Sequence, residues 1–320
     1  MKLLIIGAGS IGMLLTAKIA PYCEQLTLVT RTEEQAAQLC KQGLQLGDQI
    51  VQAGSKVHFQ AIDSLGVEQD HVEWDYIVLT VKQGALEEEL LIRIASLIGV
   101  STKIVCYQNG MGHIERISDY VDPMRIVVAV TTEGALRSSQ TAVKHTGHGV
   151  TFIGYASSNL HEQSKLYEQS LVDFAHMLQL AGFNAETTET IMDNVWGKVV
   201  INSIINPLTA ILDVNNGMLI EHHSSRNTMR QLFEEALLVA GAEGVQLDEV
   251  LWEQVMEVCR RTAGNISSMR QDLLARRLTE IDYINGALLQ VGEKHGIELP
   301  VHATMYNIVK AKEWMIRSGG

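Results

Sequence analysis

Apolar residues come in short unbroken runs at the start of the chain and in widely spaced stripes towards its end. Lys2–Ile6, Leu26–Thr30, Tyr76–Val81, Ile104–Tyr107 and Ile126–Val130 are aliphatic or β-branched on successive residues, with helical segments between them. Strands of that kind are covered on both faces, so the order predicts a doubly wound α/β domain around a parallel sheet. Thr141–His145 and Val150–Ile153 flank Thr146-Gly147-His148-Gly149, which predicts a late hairpin that closes the sheet by antiparallel pairing. Beyond about Asn159 strand signals largely cease. Glu162–Leu180, Ile191–Ile205, Asn227–Glu243, Glu249–Arg261, Met269–Leu278, Tyr283–His295 and His302–Arg317 repeat apolar residues at helical spacing. The boundary falls at Thr187–Thr190, giving an N-terminal domain of residues 1–187 and an all-α C-terminal domain of residues 188–320.

The first strand runs directly into Gly7-Ala8-Gly9-Ser10-Ile11-Gly12, and a helix Ile11–Ile19 follows. In this strand–turn–helix setting the three glycines serve a tight turn, close backbone approach to a pyrophosphate and close helix packing, with the helix N-terminus aimed at the anion. This is the signature of a Rossmann-type dinucleotide site. Arg31 ends the second strand, near where NAD-binding folds carry an acid for the ribose 2′-hydroxyl. A guanidinium there would meet a 2′-phosphate, which favours NADP(H), although Glu33 and Glu34 stand close enough to pair with it instead. Lys82 and Asn109-Gly110 follow two further strands, at carboxyl ends where ligands of open α/β sheets bind.

In the second half, Lys198, Asn202 and Asn206 recur at steps of four among Val199, Val200, Ile201, Ile204 and Ile205. Such steps advance about 40° around a helix, so an ammonium and two carboxamides form one narrow polar stripe on an otherwise apolar helix. Pro207 is expected to end or kink that helix just after Asn206. Ser268-x-x-Gln271 reads as a capping box, so Ser268 taken alone is more a helix cap than a ligand, and Thr279-x-x-Asp282 caps the next helix in the same way, with Glu280 in its first turn.

Gly7–Gly12, Lys82, Gln108-Asn109-Gly110-Met111-Gly112, Trp196-x-Lys198-x3-Asn202-x3-Asn206-Pro207-Leu208-Thr209-Ala210, Ser267-Ser268-Met269-x2-Asp272 and Thr279–Gly286 occur in one order along the chain. Together they resemble ketopantoate reductase over essentially the whole length. The resemblance implies reduction of 2-dehydropantoate to pantoate with NADPH, a step towards pantothenate and coenzyme A. By motif position, Lys198 would be the proton donor, with Glu280 balancing its charge and holding its geometry. Asn109, Lys198, Asn202, Asn206 and Ser268 would bind the substrate. Gly7, Ala8, Gly9, Ser10, Ile11, Gly12, Arg31, Lys82, Asn109, Ala135 and Glu280 would lie along the cofactor. The alternatives are a reductase of the same architecture for another branched 2-oxo acid and an NADP(H)-binding regulatory protein without turnover.

Composition narrows the partners. A net charge of −12 over 320 residues disfavours grip on phosphate backbones, and so nucleic acid. Cys23, Cys40, Cys106 and Cys259 are scattered without a C-x-x-C pair, which fits a reducing, cytoplasmic compartment. No uninterrupted apolar stretch approaches the ~20 residues of a membrane-crossing helix, so no membrane partner is expected. A metal centre is disfavoured too, because His145-x-x-His148 and His222-His223 lack adjacent carboxylate or cysteine ligands. Both a monomer and a homodimer built from the helical half fit the sequence.

Overall fold

The structure, a computed structural model, describes residues 1–65, 72–157 and 165–318, with the backbone alone for 165–167. Contacts divide the chain into two compact units, Met1–Gln108 with His113–Ile191, and Asn109–Gly112 with Met192–Gly320.

The first unit holds strands β1 (Lys2–Ile6), β2 (Gln25–Thr30), β3 (Leu44–Leu46), β4 (Gln49–Val51), β5 (Val57–Ala61) and β6 (Tyr76–Leu79). It continues with β7 (Lys103–Cys106), β8 (Ile126–Thr131), β9 (Gly134–Arg137), β10 (Ala142–Gly147), β11 (Val150–Tyr155) and β12 (Asn184–Thr187). Its helices are α1 (Ser10–Ile19), α2 (Glu33–Gln42), α3 (Glu88–Ser96), α4 (His113–Ser118) and α5 (Lys165–Leu180). Residues 162–164 of the expected Glu162–Leu180 helix lie outside the described residues.

The main sheet has the order β12-β11-β8-β7-β6-β1-β2-β5 and is parallel from β5 through β8. Successive residues of β1 face opposite sides. Leu3 and Ile5 join Met13 of α1 and Phe174 of α5 in one apolar cluster, whereas Leu4 and Ile6 join Leu91 of α3 and Ile117 of α4 in another. Burial on both faces explains the unbroken aliphatic runs. From β1 the chain winds outward to β2 and β5, then returns to β6 on the other side of β1, so the order reverses between the carboxyl ends of β1 and β6. That reversal is where open α/β sheets place their ligand crevice.

The expected hairpin does not form. β11 pairs antiparallel with β8, fastened by the Thr131–Thr151 hydroxyl hydrogen bond of 2.8 Å, while β10 pairs with β9 and β3 in a separate sheet of order β4-β3-β10-β9. Their burial patterns record the difference: β10 buries only Val143, whereas β11 buries Thr151, Ile153 and Gly154. A strand covered on one side belongs in a small surface sheet, not in the two-sided main one.

The second unit is built from α6 (Ile191–Leu212), α7 (His223–Ala242), α8 (Glu249–Arg261), α9 (Ser268–Leu274), α10 (Asn285–His295) and α11 (Pro300–Ser318). α9 stops four residues short of the expected Leu278, and α10 starts at Asn285 rather than Tyr283. α6 departs most from expectation, because it runs straight through Pro207 to Leu212. Proline has no N–H to give the carbonyl four residues back, which here is Ser203. Asn285 supplies the missing donor: its Nδ2 lies 2.9 Å from the Ser203 oxygen. The same Nδ2 lies 2.9 Å from His302 Nδ1, and His302 Nε2 is 2.9 Å from the Leu232 carbonyl. These partners assign the neutral ring protonated on Nε2, and burial pushes its pKa down to about 4. Asn285 and His302 are both 0% exposed, so α6, α7, α10 and α11 meet at one buried, hydrogen-bonded polar junction.

At 22 residues, with an 18-residue window of mean hydropathy 1.4, α6 is by length and composition apolar enough to cross a bilayer. The expectation concerned uninterrupted apolar runs, and α6 is not one. The uninterrupted run is broken by the polar stripe, but the helix is not. With 67% of that window buried inside the protein, α6 serves as a core helix.

Replacing Asn285 by Ala strands the Ser203 carbonyl and His302 Nδ1 without a donor. Unfolding by urea should report a loss of about 1–3 kcal/mol, and an unchanged midpoint would remove Asn285 from the role of repairing α6.

Candidate active site

The turn after β1 is shaped by what its glycines permit. Gly7 has φ of 120°, and a Cβ on it would lie 2.7 Å from the Val81 amide. Thr80, the residue after β6, donates its hydroxyl to the Gly7 carbonyl at 2.7 Å, which locks the turn against the strand across the reversal point. Gly12 packs so tightly that a Cβ would collide with the Gly7 carbonyl oxygen. At Gly9, by contrast, a Cβ would meet nothing within 4 Å. Gly9 is also the N-cap of α1, and no side chain caps that helix, so its first amides keep their capacity for an anion. Around them, the Ala8 carbonyl accepts from Gln35 Nε2 at 3.2 Å, Ser10 Oγ accepts from the Arg137 amide at 3.0 Å, and Ile11 is half-buried against the apolar cluster below. The motif residues therefore divide into those that hold the turn and an open face at Gly9.

Arg31 is exposed just past β2, and among the described residues it forms no ion pair. The competing carboxylates are engaged elsewhere: Glu33 accepts from the Ser64 hydroxyl at 3.1 Å and Glu34 from Gln38 Nε2 at 3.2 Å. Lys82 is exposed at the turn that follows β6, and Ala135 is half-buried on β9. An open helix N-terminus, a bare backbone at Gly9 and a guanidinium beyond β2 fit a phosphorylated dinucleotide.

The remaining predicted residues gather in the second unit. Lys198 is half-buried on α6, and burial pushes its pKa down from 10.5 to about 8 while the charge of Glu280 pulls the other way. Asn202 is half-buried one turn on and Asn206 is 6% exposed a turn further. All three lie within α6 at steps of four, so they share one stripe, and the helix continues beyond them through Pro207. Glu280 is 9% exposed and accepts from Asn109 Nδ2 at 3.1 Å. The Asn109–Gly112 segment, which groups with this unit, is fastened to the same turn by the Met111 amide donating to the Tyr283 carbonyl at 2.9 Å.

Two capping assignments shift. Ser267, not Ser268, caps α9: its Oγ accepts from the Arg270 amide at 3.2 Å and from the Thr209 hydroxyl on α6 at 2.7 Å. Ser268 stands exposed in the first turn, its hydroxyl free of capping duty. Thr279 and Asp282 do not form a capping box either. Glu313 of α11 accepts both the Thr279 amide and hydroxyl at 2.7 Å, and Asp282 accepts from Tyr306 at 2.7 Å and Lys310 at 2.9 Å. Both capping residues are thus drawn to α11, and the Glu280 backbone between them is pinned on either side.

Thr80, Asn285 and Glu313 were not singled out from sequence. For Glu313 a signal existed, since an acid on the inward face of a helix and only 4% exposed demands a partner.

A family model described as "Ketopantoate reductase PanE/ApbA" matches residues 3–158, and its C-terminal counterpart matches residues 190–313. The chain belongs to the ketopantoate reductase family. It is 32% identical to 2-dehydropantoate 2-reductase of Bacillus subtilis, with 98% of each chain covered, and 33% identical to that of Listeria innocua over 97% of this chain and 96% of the other. Among solved structures, D-mandelate dehydrogenase with NADH and anilino(oxo)acetate superposes with a TM-score of 0.86 at 29% identity, covering 99% of this chain and 100% of that one. A ketopantoate reductase family protein from Ralstonia eutropha superposes at 0.85, with 23% identity and coverage of 99% and 100%. The second likeness speaks for the fold: a Rossmann-type α/β unit followed by an all-α one.

The glycine turn makes a paired prediction. Gly9→Ala should leave the unfolding temperature unchanged and weaken NADPH binding, whereas Gly12→Ala should lower the unfolding temperature itself. Calorimetry and fluorescence titration of the two variants check this, and equal thermal loss in both would contradict the division of roles.

Proposed function

We propose that this protein reduces 2-dehydropantoate to pantoate with NADPH in the cytoplasm, as a step of pantothenate and coenzyme A biosynthesis. The observation that carries the reading is one amine, Lys198, brought to about 8 by burial beside Glu280 and set in line with two carboxamides. NADPH, when bound, supplies the hydride for the C2 ketone of the substrate. As negative charge grows on the ketone oxygen, an ammonium at Lys198 stabilises it and gives up its proton, which leaves an alcohol and a neutral amine that solvent reprotonates.

The neutral donors suit the rest of the molecule. Asn202, Asn206, Ser268 and Asn109 can hydrogen-bond a carboxylate and a hydroxyl without adding a second cation that would push the Lys198 pKa lower still. Glu280 acts in the opposite direction, favouring the charged amine, and its hydrogen bond from Asn109 keeps it in place. Gly7 to Gly12 and the start of α1 would hold the pyrophosphate, Arg31 the 2′-phosphate, and Lys82 and Ala135 other parts of the nucleotide.

A second reading has its own support. D-mandelate dehydrogenase shares the architecture at 29% identity, and its structure holds anilino(oxo)acetate, a 2-oxo acid with an aromatic group. On that reading, substrate choice within this fold would rest on the groups around the 2-oxo acid's side chain.

kcat/KM should fall as pH rises through about 8, because the protonated amine is the competent form; below that pH the Lys198 limb is flat. Lys198→Ala should lose at least about 100-fold in kcat with little change in NADPH affinity, and retained turnover would remove Lys198 from proton transfer. NADPH oxidation with 2-dehydropantoate, 2-oxoisovalerate and an aromatic 2-oxo acid checks the substrate: a clear preference for 2-dehydropantoate is expected, and preference for either competitor would replace it.

A further inference from the structure

In the first unit, Glu133 lies in the turn that joins β8 to β9, His145 on β10, and His148 in the turn that joins β10 to β11. The sequence alone gave the His145-x-x-His148 pair no carboxylate. Folding supplies one from twelve residues upstream, because β10 pairs with β9 so that His145 stands opposite Ala135, two residues from Glu133. His145 Nε2 is 2.6 Å from Glu133 Oε2, the His145 and His148 ring centroids are 4.2 Å apart, and one ligand atom from each of the three residues lies within 4.8 Å of the others.

We propose that these three residues form a zinc-binding site. Two imidazoles and a carboxylate are a ligand set zinc favours, with water completing the tetrahedron, whereas calcium and magnesium favour all-oxygen shells. Zn–N and Zn–O bonds of about 2.0–2.1 Å place tetrahedral ligands roughly 3.3 Å apart. The Glu133–His145 pair must therefore open slightly and His148 swing inward. Both movements are small, and His148 is exposed on its turn with room to make its own.

The surroundings favour a bound cation on two counts. The His145 and Glu133 side chains are only 13% and 4% exposed, so the ligands are held by packing before any metal arrives. Tyr107 lines the same small cavity as Glu133, and its buried hydroxyl has no hydrogen-bond partner among the described residues. A carboxylate that ligates zinc through one oxygen offers the other to just such an outer donor. Against these stands Lys18, whose ammonium feels Glu133 from its place 4.3 Å above the Phe183 ring and competes for the same charge. Zinc here would tie the two turns together and stiffen the strand that carries Ala135, independently of turnover.

The test is equilibrium dialysis of the EDTA-stripped full chain against zinc chloride, with bound metal counted by mass spectrometry. About one saturable zinc per chain is expected, and His148→Ala or Glu133→Gln should weaken it at least about tenfold. The exposed His222–His223 pair, with centroids 4.3 Å apart, supplies the control: replacing both by Ala should leave that zinc in place. Cobalt substitution should give the visible absorption of a four-coordinate centre, absent from His148→Ala. An unchanged unfolding temperature of that variant without metal shows that the fold is intact. No saturable zinc, equal affinity in His148→Ala, or loss of the metal in the His222/His223 variant would each overturn the proposal.

Discussion

The hydrogen bond from Asn285 to the Ser203 carbonyl is the constraint on which the helical unit turns. A proline inside a long helix leaves one acceptor unmatched and crowds the turn before it, at a cost of about 3 kcal/mol. With the acceptor satisfied from α10, α6 keeps its course and Asn206 stays in line with Lys198 and Asn202. The proline is thus tolerated because a neighbouring helix was built to repair it, and His302 holds the repairing side chain from its other side.

A comparable economy governs the glycine turn. One hydroxyl, on Thr80, ties the end of β1 to the end of β6 at the place where the strand order reverses. Gly7 and Gly12 leave no space around them and Gly9 leaves all of it, so three glycines of one motif answer to two different demands. The first two are required by the protein's own packing, and the third is not.

How much of this was legible in the sequence follows from where each signal resides. The parallel strands were readable because strands buried on both faces are almost wholly aliphatic, as Leu3 to Ile6 show. The polar stripe was readable because asparagines are poor helix formers with no business on an apolar helix unless they face something. What escaped were features decided by pairing across the chain. β12 buries only Ala185 of its four residues, so nothing in Asn184–Thr187 announces a strand. β10 and β11 are adjacent in sequence and look like a hairpin, but their partners lie in different sheets. Ser267 took the cap from Ser268 because Thr209, 58 residues earlier, reaches it from α6. The pairing of Glu133 with His145 is of the same kind, since only the register of β9 against β10 brings them together.

The choice of a buried lysine beside a glutamate has a physical logic that arginine could not replace. A guanidinium stays protonated under all ordinary conditions and holds its proton too tightly to pass it on, whereas an ammonium in open water is itself a weak acid at 10.4. Burial makes Lys198 a stronger acid, and burial alone would push it further towards the uncharged amine. Glu280 opposes that drift, and a value of about 8 leaves most of the amine protonated at pH 7 while easing proton release. The balance depends on the carboxylate staying in place. Asn109 donates to it directly, and Glu313 anchors the residue before it. The acidity of one amine is therefore set by its burial and by a carboxylate that a loop and α11 keep in place.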